Sequence, residues 1–356
     1  MKDVARHAGV SLKTVSNVVN DWPYVSAETR ERVQDAIETL GYRRNQAARS
    51  LVTGKTGTIG VIVSDIANPF FGPAIRGCED FLFEREYNLF LCNSNEDIDR
   101  EKQSLNLLMS RGVDGVILWG ARLCCEDLTE IIGEDTALVT VDMKEEPGWN
   151  KHININVDSA GGARKAVTHL LAQGYRQVAH LQGPSDREPS GWRLAGYREA
   201  LKEKGIPFNP ELVFQEQRTI EGGFHAADRA LETNPDIDAF FCYNDLMALG
   251  ALLAAKKHGR RIPEDLAVVG FDDIDMAALA NPPLSTMRID QKALGRLTGE
   301  LVVALLSEGP AMEIRERQIV FPVELRQRAS SVRGKNSSHT ISEIVEDLRS
   351  NEADNV

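Results

Sequence analysis

Apolar positions in the first forty residues recur at helical spacing in three short runs. Val4, Ala5 and Ala8 share one face at i, i+1 and i+4, and Val15, Val18 and Val19 share another at i, i+3 and i+4. Val33, Ile37 and Leu40 make a third at i, i+4 and i+7. The breaks carry suitable punctuation. Gly9 takes the positive φ of a sharp turn, Ser11 and Ser26 are N-caps, and Gly41 stands just past the end of the third helix. Asp21-Trp22-Pro23-Tyr24-Val25 is a proline-broken loop before the third helix. The second helix turns out Leu12, Lys13, Ser16, Asn17 and Asn20, and so presents a leucine, a cation, a hydroxyl and two amides. That surface suits base edges and phosphates in a major groove. An ordinary helical hairpin with a polar outer face fits the same stretch.

From Ile59 the pattern changes. Ile59-Gly60-Val61-Ile62-Val63 is a continuous apolar run of strand length, and further strands are expected at 88–93, 113–118 and 137–141, with helices near 72–86 and 100–111. The pattern repeats after Asp158, with strands near 177–181, 239–242 and 266–270 and helices near 159–173, 190–204, 222–232 and 245–257. Apolar strands alternating with helices predict a parallel sheet covered on both faces. This stretch is too long for one doubly wound sheet, so two similar lobes are expected.

Ligands in open α/β sheets sit beyond the carboxyl ends of strands. That rule selects Phe70 and Phe71 after the first strand, Asp142, Asn244 and Asp272 after later ones, and Arg193 opening a helix. Carboxylates, an amide and a guanidinium around a cleft bind vicinal hydroxyls or a charged small molecule, and a ring can stack on phenylalanine. For Asp245 and Asp273 helix capping is the equal alternative.

Composition places the partners. The 356 residues carry a net charge of −12, which argues against a surface that coats nucleic acid throughout. Residues 1–57 nevertheless hold nine Lys and Arg against six carboxylates, a balance of +3, leaving −15 for the rest. A basic head on an acidic body fits nucleic acid bound at one end only. No apolar run approaches the roughly 20 residues that span a bilayer, and the first residues read as a helix start, not a secretory signal. Five cysteines without Cys-x-x-Cys spacing read as reduced thiols in a cytoplasm. His152, His169, His180, His225 and His258 show no metal-like clustering, so no metal and no cofactor are expected.

Between head and body, Asn45 is suited to cap a helix running to about Leu51, with Ala48 and Arg49 on it and Gly54 and Gly57 as an exit. About seven residues is far below the ~12–15 at which isolated helices become marginal, so this helix is expected to form only against a partner. Leu51 then either packs on the body or enters a minor groove as an apolar wedge.

Several motifs together carry a resemblance. Asp3-Val4-Ala5, Ala8-Gly9-Val10-Ser11, Thr14-Val15-Ser16, Val18-Val19-Asn20, Val25-Ser26, Thr29-Arg30, Gly41-Tyr42 and Ala48-Arg49-Ser50-Leu51 resemble the head of the lactose/galactose repressor (LacI/GalR) family. The resemblance implies base-reading positions at Leu12 and Lys13, with Asn17 as a third where many members carry arginine. It implies phosphate contacts from Ser11 and Thr14, DNA contacts from Ser16, Asn45, Ala48 and Arg49, and the wedge for Leu51. It extends to about Arg328 and implies a periplasmic-binding-protein-like body whose chain crosses between lobes three times.

The expected organisation is thus a small all-α helix-turn-helix head at 1–44 and a hinge at 45–57. A first lobe of 58–156 plus 287–318, a second of 157–286 plus 319–329, and a disordered tail at 330–356 follow. Arg193, Asn244 and Asp272 match effector-contact positions of the family. Arg218 stands where many relatives carry a ring-stacking aromatic, which points to an acidic or phosphorylated sugar. Ile341, Ile344, Val345 and Leu348 make one amphipathic stripe, too short for a four-chain coil.

The function expected is a cytoplasmic, dimeric transcriptional regulator, with a tetramer as the alternative assembly. It would bind a palindromic double-stranded DNA operator and answer to a small-molecule effector. A ligand-binding protein of the same fold without DNA activity is the rival. An enzyme is not expected: Lys55-Thr56 after Gly54 resembles a phosphate-loop ending, but Arg49 stands where its first glycine belongs, and no Gly-x-Gly-x-x-Gly, His-Glu-x-x-His or Gly-x-Ser-x-Gly is present.

Overall fold

Residues 1–19, 22–42, 55–143, 149–308 and 318–333 are described by the structure, a computed structural model. The chain divides into two units, Met1–Thr56 and Gly57–Val356. Asn20, Asn45, Ala48, Arg49, Leu51 and the 341–348 stripe lie outside the described residues.

The head is built from α1 (Lys2–His7), α2 (Leu12–Val19) and α3 (Ala27–Thr39). Val4, Val15, Val18, Val33 and Ala36 are buried in one core, with Val10, Val19, Val25, Ile37 and Tyr42 packed around it. Both glycines act at helix ends: Gly9 and Gly41 have φ of 64° and 56°. The Val10 N–H donates to the Ala5 carbonyl at 3.0 Å and the Tyr42 N–H to the Ile37 carbonyl at 2.9 Å, closing each helix in the Schellman manner. The Ser11 and Ser26 hydroxyl oxygens accept the Thr14 and Thr29 N–H groups at 3.0 and 3.4 Å. Leu40 departs from expectation. The helix stops at Thr39, so Leu40 is turned into solvent and Ala36 takes its place in the core.

The body contains two six-stranded sheets. Strands β1 (Thr58–Val63), β2 (Asn88–Asn93), β3 (Gly115–Trp119), β4 (Ala137–Val141), β5 (His152–Val157) and β11 (Gln318–Phe321) form the first, in the order β11-β5-β4-β3-β1-β2. The second has the order β12-β10-β9-β8-β6-β7. Its strands are β6 (Val178–Gln182), β7 (Val213–Gln215), β8 (Ala239–Cys242), β9 (Ala267–Asp272), β10 (Ser285–Arg288) and β12 (Glu324–Arg326). All neighbours run parallel except β10 and β12.

Nine body helices are described: α4 (Phe71–Phe83), α5 (Ile98–Ser110), α6 (Cys125–Ile132), α7 (Ser159–Ala172), α8 (Glu188–Glu203), α9 (Ile220–Thr233), α10 (Asp245–Lys257), α11 (Asp275–Leu279) and α12 (Gln291–Glu308). Glycines let helix backbones touch. A Cβ on Gly295 of α12 would lie against the Ala74 carbonyl oxygen of α4, and one on Gly77 of α4 against that of Lys292.

Three boundaries move from those expected. Strand β10 continues to Arg288 in the second sheet, and β11 pairs with β5 in the first, Phe321 opposite Val157. The crossings therefore follow Val157, Arg288 and Phe321. Ser330 and Ser331 are buried in the second lobe, not part of a tail. The Ser330 hydroxyl donates to the Val268 carbonyl at 2.6 Å, and Ser331 bonds His169 at 2.8 Å. A run of small polar residues reads as a linker until its partners are seen.

Strand β5 had no apolar run to mark it. Ile153 and Ile155 face the core, while the opposite face buries His152 and Asn154. The Thr140 hydroxyl lies 2.8 Å from His152 and 2.9 Å from Asn154, whose amide also donates to the Met143 carbonyl at 2.8 Å. Those bonds are what make buried polar groups tolerable.

Candidate functional site

Five strand ends converge on one cleft in the body. β1 hands on to Ser64, β3 to Gly120 and β4 to Asp142; across from them β8 hands on to Tyr243 and Asn244, and β9 ends at Asp272. Two adjoining cavities of about 320 and about 80 Å³ open there, sharing Ser64, Gly120, Asp142, Pro189, Arg218 and Tyr243. The larger is of small-ligand size. The smaller is lined by all seven residues expected to hold a ligand: Phe70, Phe71, Asp142, Arg193, Arg218, Asn244 and Asp272.

Their individual roles differ. Phe71 is buried, and Phe70 is half-buried beside it with ring centres 5.3 Å apart. Both meet Trp119 edge-on, at 6.1 and 6.3 Å, giving one aromatic wall. Arg193 lies in the second turn of α8 rather than opening it. Its guanidinium sits 3.8 Å above the Phe271 ring and 4.3 Å from that of Tyr243. It donates to the Tyr243 carbonyl and approaches the Asp272 carboxylate at 3.7 Å. A guanidinium beside a carboxylate offers donors and acceptors together, which matches adjacent hydroxyls.

Asp142 has φ of 57° and accepts the Val157 N–H at 2.8 Å. Burial pushes its carboxyl up to about 6, against the opposing pull of the Val157 N–H and Arg193. Burial pushes Asp272 further, to about 7, although Arg193 and Arg218 favour its charge. Asn244 caps α10, its oxygen accepting the Met247 N–H at 3.0 Å, and its amide reaches the Arg218 carbonyl at 3.4 Å. It therefore tethers the Arg218 loop while lining the cavity. Asp245 is structural. It is fully buried, accepting the Thr286 hydroxyl at 2.5 Å and the Ile274 N–H at 2.9 Å.

Glu96, Arg187, Arg122 and Asp186, none of them anticipated, join Arg218 in bridging the lobes. Arg218 pairs with Glu96 and approaches the Tyr243 hydroxyl at 3.4 Å. Arg187 approaches the other Glu96 oxygen at 3.4 Å and donates to the Gly120 carbonyl at 3.1 Å. Arg122 meets Asp186 at 2.5 Å. Among the described residues, Asp228, Glu232 and His258 bring potential metal-ligand atoms within 4.8 Å of one another. Lys257 already holds both Asp228 oxygens at 2.7 Å, however, and His258 one of them at 2.7 Å.

In the head, α2 turns Leu12, Lys13 and Ser11 outward, with Leu12 47% exposed, whereas Thr14, Ser16 and Asn17 are half-buried. The Ser11 and Thr14 hydroxyls bond each other at 2.9 Å. Leu12 and Lys13 thus stand side by side, exposed on a short capped helix.

Comparison with known proteins agrees with this division. The description "Bacterial regulatory proteins, lacI family" matches residues 1–45, and "Periplasmic binding protein-like domain" matches residues 167–331. The chain is 34% identical over 334 residues to the HTH-type transcriptional regulator RegA of Clostridium saccharobutylicum, covering 93% of this chain and 99% of that one. The lac repressor dimer bound to operator and the anti-inducer ONPF superposes with a TM-score of 0.82 at 27% identity, over 93% of this chain and 98% of that one. The transcriptional regulator CelR in complex with cellobiose does so with 0.71 at 32% identity, over 92% and 98%. A helix-turn-helix head with its own core, a two-lobed body and this extent of shared sequence lead to one conclusion: the chain belongs to the lacI family of bacterial regulatory proteins.

Proposed function

We propose that this regulator is a repressor that binds a palindromic operator as a dimer, under control of a sugar or sugar derivative held between the two lobes. The observation that carries the proposal is the outward face of α2, where Leu12 and Lys13 stand free of the head's core. In this reading Leu12, Lys13 and Asn17 read base edges in the major groove, and Ser11, Thr14 and Ser16 hold the adjacent backbone. Asn45, Ala48 and Arg49 add contacts, and Leu51 enters the minor groove between half-sites.

The aromatic wall of Phe70 and Trp119 opposite the Arg193–Asp272 pair supports a sugar ring in the cleft. Arg218 supports an acidic or phosphorylated one. The similar regulator CelR is known in complex with cellobiose, which favours the sugar class. Dimerisation is supported by an apolar groove on the second lobe lined by Ile220, Leu249, Leu252, Leu253 and Ile262, with Leu253 53% exposed. No described helix is long and apolar enough to cross a membrane.

Fluorescence anisotropy on a labelled pool of palindromic duplexes, across a salt series and with neutral and acidic sugars, tests the proposal. Tight, steeply salt-dependent binding altered by one sugar class is expected. A folded head that binds no duplex at low salt would leave a ligand-binding protein as the better reading.

A further inference from the structure

Glu96 is the first-lobe residue on which two second-lobe arginines meet. Its backbone is pinned: the N–H donates to the Ser64 carbonyl at 2.8 Å, and its own carbonyl accepts from Arg122 at 2.7 Å. Its φ is 59° and that of Asn95 is 51°, two successive residues in the left-handed region. This turn presents the carboxylate to the opposite lobe, where one oxygen meets Arg218 and the other lies 3.4 Å from Arg187.

The two arginines hold more donors than that carboxylate satisfies. Among the described residues Arg218 Nε is buried without a hydrogen-bond acceptor, and Arg187 Nη2, the atom that faces Glu96 at 3.4 Å, makes no well-aligned hydrogen bond. The Arg187 side chain is 7% exposed and that of Arg218 18% exposed, and both residues line the 320 Å³ cavity. Two guanidinium groups that converge on one carboxylate beside a ligand-sized cavity make a seat for an oxyanion. Arg122, which also holds the Glu96 carbonyl, pairs with Asp186 on the wall of the same cavity.

We infer that Arg187 and Arg218 together bind the anionic group of the effector, a carboxylate or a phosphate, and that Glu96 occupies their seat until the effector displaces it. The inference rests on the proposed sugar site and extends it. Glu96 sits on one lobe and its arginines on the other, so the exchange replaces a cross-cleft pair with a bond to the ligand. An acidic effector would then sense and alter the lobe arrangement, whereas a neutral sugar leaves the pair in place. Differential affinity for two lobe arrangements is what an allosteric ligand requires.

Calorimetric titration of the full chain tests this with D-gluconate, D-glucose 6-phosphate and inorganic phosphate, and with D-glucose as the neutral reference. Glu96→Gln should raise the acid-to-neutral affinity ratio about tenfold, because it removes a resident competitor that holds the seat in all but a minor fraction of molecules. Arg187→Gln should lower that ratio by a similar factor. The gluconate and phosphate arms tell which oxyanion is preferred. A ratio that stays within about twofold of wild type in both variants overturns the exchange, since a tax on a fractionally populated state must appear on its removal. If Arg218→Ala still weakens acidic probes in that event, the acidic-sugar reading survives and only Glu96 and Arg187 are excluded. If wild type and Glu96→Gln bind none of the acidic probes, both readings fall.

Discussion

Asp142 combines a left-handed backbone with a buried carboxyl, and its titration gives a signed consequence. A carboxyl lifted to about 6 in the folded chain, against an ordinary value of 3.8, keeps its proton over a range in which the unfolded chain has lost it. Raising the pH through that range therefore favours unfolding, and the penalty is complete once both states are ionised. Asp142→Asn keeps the acceptor for the Val157 N–H and tolerates φ of 57°, so it isolates the charge. Its melting temperature relative to wild type should rise between about pH 4 and 6 and level off above. A pH-independent difference would mean that the wild-type carboxyl is not perturbed. For Arg218, truncation to alanine should weaken an acidic sugar at least about tenfold, the value of a lost charged hydrogen bond. Equal binding by Arg218→Ala would remove the acidic group from the reading.

At this scale the sequence was legible where chemistry follows a strand. Asp142, Asn244 and Asp272 were found because strand ends point to a cleft. Asn244 illustrates the limit: the same position that lines the cavity also caps α10, and the sequence cannot divide one amide between the two. Arg187 and Glu96 left no signal at all. Their partnership exists only because two lobes, built from residues 91 positions apart, close on each other.

Among the elements, helices with one apolar face and wholly buried strands were visible in the hydrophobic pattern. β5 was not, because its polar face is buried and satisfied by Thr140 and Met143. The short β12 carries too few residues for alternation to register. Close helix packing was equally hidden, since a glycine in a helix looks like weak propensity until its neighbour is known. Gly295→Ala should cost about 1–3 kcal/mol, because the methyl meets the α4 backbone rather than a flexible side chain. Gly191, in α8, meets nothing within 4 Å, so Gly191→Ala should stabilise by up to about 1 kcal/mol. Opposite shifts in thermal melting of the two variants would verify that backbone contact, not helix propensity, governs the first. A loss of similar size in both would refute it.

For the whole molecule, the proposed dimer would link assembly to DNA binding. A palindrome is read tightly only by two heads at once, so a monomeric variant should lose operator affinity although its heads are untouched. Leu253→Glu places a charge in the exposed apolar face of the second lobe. Sedimentation should show monomers, with operator affinity reduced by about a hundredfold or more. A dimer that persists would shift the interface elsewhere.

The three crossings between lobes have a mechanical consequence. Val157, which ends β5, stands opposite Phe321, which ends β11; Arg288, which ends β10, stands opposite Glu324, which begins β12. The Asp158 N–H donates to the Phe321 carbonyl at 2.9 Å, stitching the first crossing to the third. Three crossing segments laid side by side would resist sliding and twisting more than bending about the axis they share. A ligand in the cleft would then chiefly set the angle between the lobes, whatever its size or charge.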